Sequence, residues 1–306
     1  MVLTYAVRRL FGAIPTLFLI ITIAFFMIRL APGGPFDTER ALPAEIEANL
    51  MRAYHLDQPL PVQYVNYLGG ILSGDFGPSF RYKDFSVNEL IWGGFPTSFR
   101  IGGLAILAAA LIGTGLGAFA ALRRNSWLDH TVMAGAMTGI TIPNFVVAPA
   151  LSLIFGVYLG WLPVAGSGTW SHLLLPVVAL ALPQIAYIAR LTRAGTIEVL
   201  RSNFIRTARA KGLPDRVLLT RHALKGALLP VISYLGPATA GIVTGSVVIE
   251  QIFQLPGIGR YFVQGALNRD YTLVMGVVIF YGMLIIVFNL IVDLLYGVLD
   301  PRVRFD

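Results

Sequence analysis

Cysteine is absent from this sequence of 306 residues, and charged residues make up only 13% of it. The missing cysteine excludes disulfides, thiolate catalysis and cysteine metal sites. The chain has four scattered histidines, which are His55, His130, His172 and His222. Their spacing indicates no metal cluster. Because 56% of the residues are hydrophobic, so few charges cannot cover a water-soluble surface, and the composition predicts an integral membrane protein.

The sequence also lacks the phosphate-binding loop G-x-x-x-x-G-K-[ST]. ATP is therefore not bound here by such a loop, and energy from a nucleotide would have to come from a partner. One G-x-G-x-x-A pattern does occur, in GTGLGAFA at residues 113–120, but it lies inside a continuous apolar run. Gly113 and Gly117 also form G-x-x-x-G, which lets two helices approach closely in lipid, so we interpret them as packing residues.

Apolar runs of about 20 residues, long enough to cross a ~30 Å hydrocarbon core as a helix, occur six times. The predicted spans are Leu10–Leu30, Ile101–Ala121, Val132–Leu159, Leu173–Leu191, Leu228–Ile249 and Leu273–Leu295. The first is too long for a typical signal-peptide core and is interpreted as an uncleaved signal anchor. Prolines in the third span (Pro143, Pro149) and the fourth (Pro176, Pro183) predict kinked helices whose freed carbonyls face packed or water-lined surfaces.

Basic residues near span ends stay in the cytoplasm and so set the orientation. An inside N-terminus places most of them on one side: Arg8, Arg9, Arg123, Arg124, the run from Arg190 to Lys225, Arg302 and Arg304. Both termini are then cytoplasmic. The net charge of +7 follows from topology, and nucleic-acid binding is not needed to explain it.

The chain divides into an N-terminal transmembrane helix (1–30), an extracytoplasmic cap (31–98) and a five-helix core (99–306). Within the cap, LPAEIEANLMRAYHL and DQPLPVQYVNYLGGIL each predict a short helix. The core would carry a cytoplasmic loop at 197–226 and an external loop at 252–271.

Ionisable residues within spans would mark an ion-coupled carrier. Glu250 and Asp293 lie near span ends, and Asp293 shares a helix face with Asn289. We favour structural anchoring for both and leave a transport role open. Since no chain of acids or histidines crosses the midplane, a self-sufficient secondary carrier is the less favoured alternative.

The segment around 200–214 predicts a short basic helix with an apolar stripe from Leu200, Phe204 and Ala208. Gly212 and Pro214 would end it. Its basic residues are Arg201, Arg206, Arg209 and Lys211. Two interpretations stay open on the residues alone: a helix lying on anionic lipid, or a helix docking into a groove of a soluble protein, with Phe204 as anchor and Ala208 and Ala210 permitting close approach.

This arrangement resembles the EAA loop of ATP-binding cassette (ABC) importer permeases: a short helix, Gly212, a second short helix and then a span. Arg206, Thr207 and Ala208 occupy the Glu-Ala-Ala positions, and only Ala208, Gly212 and Leu224 match the general pattern. However, TARAKGL followed by RHALKGALLPV is similar to the variant found in peptide permeases. RRLFGAIPTLFLIITIAFFMIRLAPGGPF, LPGIGRYFVQGALNRDY and DPRVR extend the resemblance, and GDFGPSFRYKDFSVNELI favours oligopeptide over dipeptide, glutathione or nickel relatives.

The resemblance implies an all-α, six-span type I ABC importer permease (MetI-like) in the bacterial inner membrane. Such a subunit is not an enzyme, and it alternates access to a central cavity whose lining residues the sequence does not indicate. Implied partners are a homologous second permease, two cytoplasmic ATPase subunits, an extracytoplasmic peptide-binding protein and membrane lipid. This chain would bind no cofactor, while the ATPase subunits would use ATP and Mg.

The resemblance also implies two contact regions. The loop that couples to an ATPase would use Leu200, Phe204, Arg206, Thr207, Ala208, Ala210 and Gly212. The loop that meets the binding protein would use Pro256, Gly257, Gly259 and Arg260. From the residues alone, the second loop is equally a simple connector with a tight turn.

Overall fold

The computed structural model describes residues 2–30, 34–36 and 44–299. The C-terminal DPRVR stretch, with Arg302 and Arg304, lies outside these ranges. The described residues form fourteen α-helices. In chain order they are α1 (Val2–Leu30), α2 (Ala44–Ala53), α3 (Leu60–Leu72), α4 (Val87–Leu122), α5 (Trp127–Thr141), α6 (Asn144–Leu151), α7 (Ser171–Leu200), α8 (Asn203–Ala210), α9 (Asp215–Val217), α10 (Leu224–Ala227), α11 (Leu229–Val243), α12 (Val247–Ile252), α13 (Gly259–Leu267) and α14 (Tyr271–Leu299). Two π-helical segments, Ser152–Tyr158 and Leu218–Ala223, continue α6 and α9.

Five helical stretches in the described part of the chain are long and apolar enough to cross a membrane. They are Val7–Leu30, Val87–Leu122, Ser171–Leu200, Leu229–Ile252 and Tyr271–Leu295. The pair formed by α5 and α6 makes a sixth if it is counted as one span. The predicted all-α membrane fold is therefore confirmed, whereas the cytoplasmic position of the termini stays a prediction.

The second span begins earlier than expected. The predicted start at Ile101 was wrong, because α4 begins at Val87 and runs for 36 residues. A capping box sets this start: Ser86 Oγ accepts from the Glu89 N–H at 3.2 Å, and the Glu89 carboxylate accepts from the Ser86 N–H at 2.8 Å. At 1.5 Å per residue α4 is about 54 Å long, so it extends past a ~30 Å hydrocarbon core. The predicted boundary between residues 98 and 99 falls inside this helix.

The third predicted span, Val132–Leu159, is not one helix. The axis of α5 differs by 102° from that of the following helical segment Asn144–Tyr158, which is α6 with its π-helical continuation. Ile142 is extended (φ −94°, ψ 119°), as expected for a residue before proline, and Pro143 caps the start of α6. By contrast, Pro176 and Pro183 both lie within the uninterrupted α7.

Helices α4 and α7 form the central pair of the bundle, and glycines allow their approach. A Cβ atom on Gly117 would lie 2.4 Å from the Ala189 carbonyl oxygen, and one on Gly113 would lie 2.8 Å from Ile188 Cβ. Both distances are too short for a side chain, which confirms the G-x-x-x-G pair as packing residues.

Two ion pairs tie further helices together. Arg193 of α7 donates to both carboxylate oxygens of Asp129 on α5, at 2.7 and 2.6 Å, and Asp129 is fully buried. Arg9 of α1 pairs with Asp293 of α14 at 3.1 Å. Nothing in the sequence indicates the first pair, because its members are 64 residues apart.

The two short helices predicted in segment 31–98 are present as α2 and α3, although 31–33 and 37–43 lie outside the described residues. A buried carboxylate, that of Asp270, fastens the following loop to the start of α14. Ser79 Oγ donates to Asp270 at 2.5 Å, and the Leu273 N–H donates to it at 3.1 Å. This cap therefore has its own packed contacts at the end of the bundle where α4 and α14 begin.

Candidate functional site

The basic segment after α7 folds as a separate short helix. The helical structure is interrupted at Arg201 and Ser202. Ser202 has an extended backbone (φ −68°, ψ 155°) and is the N-cap of α8. Gly212 then adopts the left-handed region (φ 79°), which glycine tolerates best, directly after the Lys211 C-cap. The predicted helix and its stop at Gly212 are confirmed.

The inward face of α8 differs from the predicted apolar stripe. Ile205 is the fully buried residue, and it packs with Ala118 near the end of α4 and with Leu219 and Ala223. Leu200 belongs to α7, so it shares no continuous helix with Phe204. The stripe of Leu200, Phe204 and Ala208 was therefore wrong, because the break between the two helices shifts the phase.

Phe204 instead lies on the outer side of α8, where 55% of its surface is exposed. Arg206, Thr207, Ala210 and Gly212 are also exposed, while Leu200 and Ala208 are half-buried. We call this surface, made of residues 203–212, the α8 surface; its docking role stays a prediction.

At the other end of the bundle, the loop before α13 is built around a buried carboxylate. Glu250 of α12 is 3% exposed. It accepts from Ser98 Oγ of α4 at 2.6 Å and from the Arg260 N–H at 3.3 Å. Ser98 Oγ in turn accepts from the Ile258 N–H at 2.9 Å. The Glu250 carboxylate thus links α12 to α4 and to the first turn of α13, and Ser98 holds the loop before α13 at Ile258.

Glycines in this loop leave room for the carboxylate. A Cβ atom on Gly257 would lie 2.2 Å from Glu250 Cδ, and one on Gly259 would lie 3.0 Å from Glu250 Oε2. Gly245 has a left-handed backbone (φ 98°), and its Cβ would lie 2.7 Å from Oε1. Close approach to Glu250 therefore requires Gly257 and Gly259, which the sequence suggested only as turn formers, and also Gly245, which lies before α12.

The remaining residues of the predicted outer site lie beside this carboxylate. Pro256 directly precedes Gly257, and Arg260 is in the first turn of α13. The Arg260 guanidinium donates to Tyr261 Oη at 3.0 Å and lies over the Tyr261 ring at 4.8 Å. The structure thus brings Pro256, Gly257, Gly259 and Arg260 together, and their contact with a binding protein stays a prediction.

Both acids singled out in the sequence have partners, which supports the anchoring interpretation over an ion-coupling one. Glu250 accepts the two hydrogen bonds described above, and Asp293 pairs with Arg9. The sequence marks Glu250 as a lone acid in an apolar run, followed by PGIG, but nothing in it indicates that Ser98 is the partner. In the part of the chain that the structure describes, no group of three histidine, aspartate or glutamate residues could hold a metal ion.

Comparison with known proteins places these features in a family. The profile described as "Binding-protein-dependent transport system inner membrane component" matches residues 113–305, and the corresponding N-terminal profile matches residues 2–99. The oligopeptide transport system permease protein OppB of Salmonella typhimurium is 57% identical over 99% of this chain and 100% of the relative. The dipeptide transport system permease protein DppB of Bacillus subtilis is 45% identical over 98% of this chain and 97% of the relative.

Among solved structures, a chain of the MetNI methionine ABC transporter in an inward-facing conformation has a similar fold. The TM-score is 0.57 at 18% identity, over 69% of this chain and 96% of that chain. The MetI-like permease fold is thereby confirmed, and the inner-membrane location agrees with the apolar helices. The chain belongs to the family of inner membrane components of binding-protein-dependent transport systems.

Proposed function

We propose that this chain is a membrane-spanning subunit of an ATP-driven oligopeptide uptake system. The observation that carries the proposal is full-length similarity to OppB proteins at 57% and 53% identity, against 45% and 38% for two DppB proteins. The subunit makes and breaks no covalent bond. With a homologous second permease, it forms a central cavity that opens alternately to the two sides.

The geometry suggests how a movement caused by ATP hydrolysis in a separate subunit is transmitted to the membrane helices around this cavity. The α8 surface is held to the membrane helices by the buried Ile205, which packs on Ala118 of α4. Helix α4 is continuous from there to Ser98, twenty residues away, where it binds Glu250. A displacement of α8 would therefore move one long helix that contacts both candidate regions.

The partners in this proposal are inferred from the family resemblance, from the exposed α8 surface and from the missing phosphate-binding loop. Two cytoplasmic ATPase subunits would use ATP and Mg, and one of them would receive Phe204 of the α8 surface. An extracytoplasmic peptide-binding protein would meet the loop that carries Gly257 and Arg260. This chain would bind neither nucleotide nor metal as a cofactor of its own.

Transport by the reconstituted complex tests the proposal. Proteoliposomes holding both permeases and both ATPases, with the binding protein outside, should accumulate labelled tri- to pentapeptides only when ATP is inside. Preference for dipeptides, glutathione or nickel would replace the oligopeptide assignment by one of its family alternatives. Uptake by this chain alone, driven by an ion gradient, would favour a secondary carrier. Unchanged association of the ATPases with a Phe204 variant would favour the alternative in which α8 lies on lipid.

A further inference from the structure

A cavity of about 420 Å³ lies inside the cap, at the end of the bundle opposite α8. Its lining combines Arg29 from the end of α1, Gln63 and Tyr67 from α3, and Thr272 from the start of α14. Aromatic rings, those of Tyr54, Phe76 and Phe80, complete the walls. This volume is within the range of about 300–1,000 Å³ that holds small ligands.

Two hydrogen-bond donors of this cavity are unpaired in the part of the chain that the structure describes. Arg29 Nε and the Tyr67 hydroxyl are both buried, and neither has a hydrogen-bond partner among the residues that the structure describes. Native structures leave few buried polar atoms unpaired, and such atoms call for an explanation. Both atoms belong to side chains that line the same cavity.

Among the described residues, the charge of Arg29 also has no opposite charge beside it. One guanidinium nitrogen donates to Gln63 Oε1, and the group lies 4.9 Å from the Phe25 ring centroid and 5.9 Å from that of Tyr271. Within the described ranges, no carboxylate oxygen lies within 4 Å of it. An amide and two rings orient a guanidinium but do not neutralise it, so an anion would stabilise this arrangement.

The donor geometry selects among anions. A guanidinium presents parallel N–H groups that match the two oxygens of a carboxylate. Burial raises the pKa of the Tyr67 hydroxyl, so it keeps its proton and can donate as well. The aromatic walls suit a partly apolar group attached to the carboxylate.

One carboxylate already lies at the edge of the cavity. Asp75 is exposed, and its Oδ1 accepts from the Gly77 N–H at 2.8 Å, which holds it in its own turn. A shift of Asp75 onto Arg29 is therefore the internal alternative to a bound ligand.

We propose that this cavity binds the C-terminal carboxylate of a peptide, with Arg29 and Tyr67 as its donors. The peptide identity rests on the proposed function, whereas recognition of a carboxylate rests on the cavity alone. The site would hold the end of a peptide in the cap of the permease.

Equilibrium binding of radiolabelled tri-alanine and of its C-terminal amide tests this inference. The probe is added to the complete transporter in lipid nanodiscs without the soluble binding protein. The wild-type complex should bind the acid at least about tenfold more tightly than the amide, the effect of one or two charge-assisted hydrogen bonds. Arg29→Gln and Tyr67→Phe should reduce that preference, with Arg29→Gln removing it.

Arg52→Gln is the matched control, since Arg52 is an exposed arginine of the same cap that does not line the cavity. It should keep the wild-type preference, as should Asp75→Asn. Equal affinity for acid and amide in the wild type would overturn the inference. So would an unchanged preference in Arg29→Gln, or its loss in Asp75→Asn. Tyr67→Phe removes a single oxygen, so it serves as the variant with the smallest effect on folding if Arg29→Gln proves unstable.

Two further outcomes separate this inference from other claims. If Arg29→Gln weakens docking of the binding protein while wild-type acid and amide bind equally, the carboxylate belongs to that partner and the peptide site is wrong. ATP-driven peptide uptake by the wild type without any acid preference would contradict this inference alone. Absence of wild-type uptake would contradict the proposed function, whatever Arg29 does.

Discussion

The hydroxyl of Ser98 donates a 2.6 Å hydrogen bond to the carboxylate of Glu250, and both side chains are buried. Ser98 is on α4 and Glu250 is on α12, so this bond joins two helices through residues that are 152 positions apart in sequence. The Arg260 N–H binds the same carboxylate, so the start of α13 is fixed to it as well. The outer loop therefore moves only if α4 or α12 moves with it.

Gly257→Ala tests this attachment. The new methyl group would overlap Glu250 Cδ, and overpacking of this kind costs about 1–3 kcal/mol. We expect a lower unfolding temperature for the purified chain in detergent. Adding Glu250→Ala should restore part of the loss, because it removes the group that the methyl meets. No loss in Gly257→Ala, or a double variant less stable than the sum of the single changes, would contradict the arrangement.

The sequence predicted well those features that depend on a single local segment of the chain. The apolar spans follow from membrane thickness, and the stop of α8 follows from Gly212. The start of α4 was missed because the Ser86–Glu89 capping box, and not hydropathy, sets it. The capping box is visible in the sequence as a serine followed three residues later by a glutamate.

Features that depend on two distant segments could not be read. The Glu250 attachment and the pair of Asp129 with Arg193 exist only once the helices have packed. The face of α8 was misjudged for a related reason: nothing in the periodicity shows that α7 ends at Leu200 and that a new helix begins at Asn203.

Asp129→Asn should destabilise the chain by about 2 kcal/mol or more, because it leaves Arg193 without the carboxylate that it grips with two bonds. Arg193→Met removes the same pair from the other side. The double variant should lose less than the sum of the two losses, as interacting residues do. The measurement is the unfolding midpoint in detergent, with Arg190→Met, an exposed arginine on the same helix, as the control. Additive losses would show that the pair contributes nothing.

Gly117→Ala should push α4 and α7 apart, since its Cβ would lie 2.4 Å from a backbone oxygen. We expect a loss of about 1–3 kcal/mol. Gly115→Ala is on the same helix with nothing within 4 Å of the added atom, so it should be neutral or gain up to about 1 kcal/mol from helix propensity. Equal thermal stability of the two variants would contradict the packing role of Gly117.

Phe204 and Ile205 are neighbours on α8 with opposite surroundings, one 55% exposed and the other fully buried. Ile205→Ala should weaken the attachment of α8 to α4 and lower the stability of the chain by about 2–5 kcal/mol. Phe204→Ala should leave the stability of the isolated chain unchanged, because its ring contributes little to the core.

The most direct test of the account is the affinity of the ATPase subunits for the Phe204→Ala permease in nanodiscs. As a buried anchor at the interface, the ring should contribute about 2–4 kcal/mol. The account therefore predicts that the ATPases dissociate at least about 30-fold more readily while the permease keeps its wild-type unfolding temperature. An equally stable permease that binds the ATPases with unchanged affinity would contradict it.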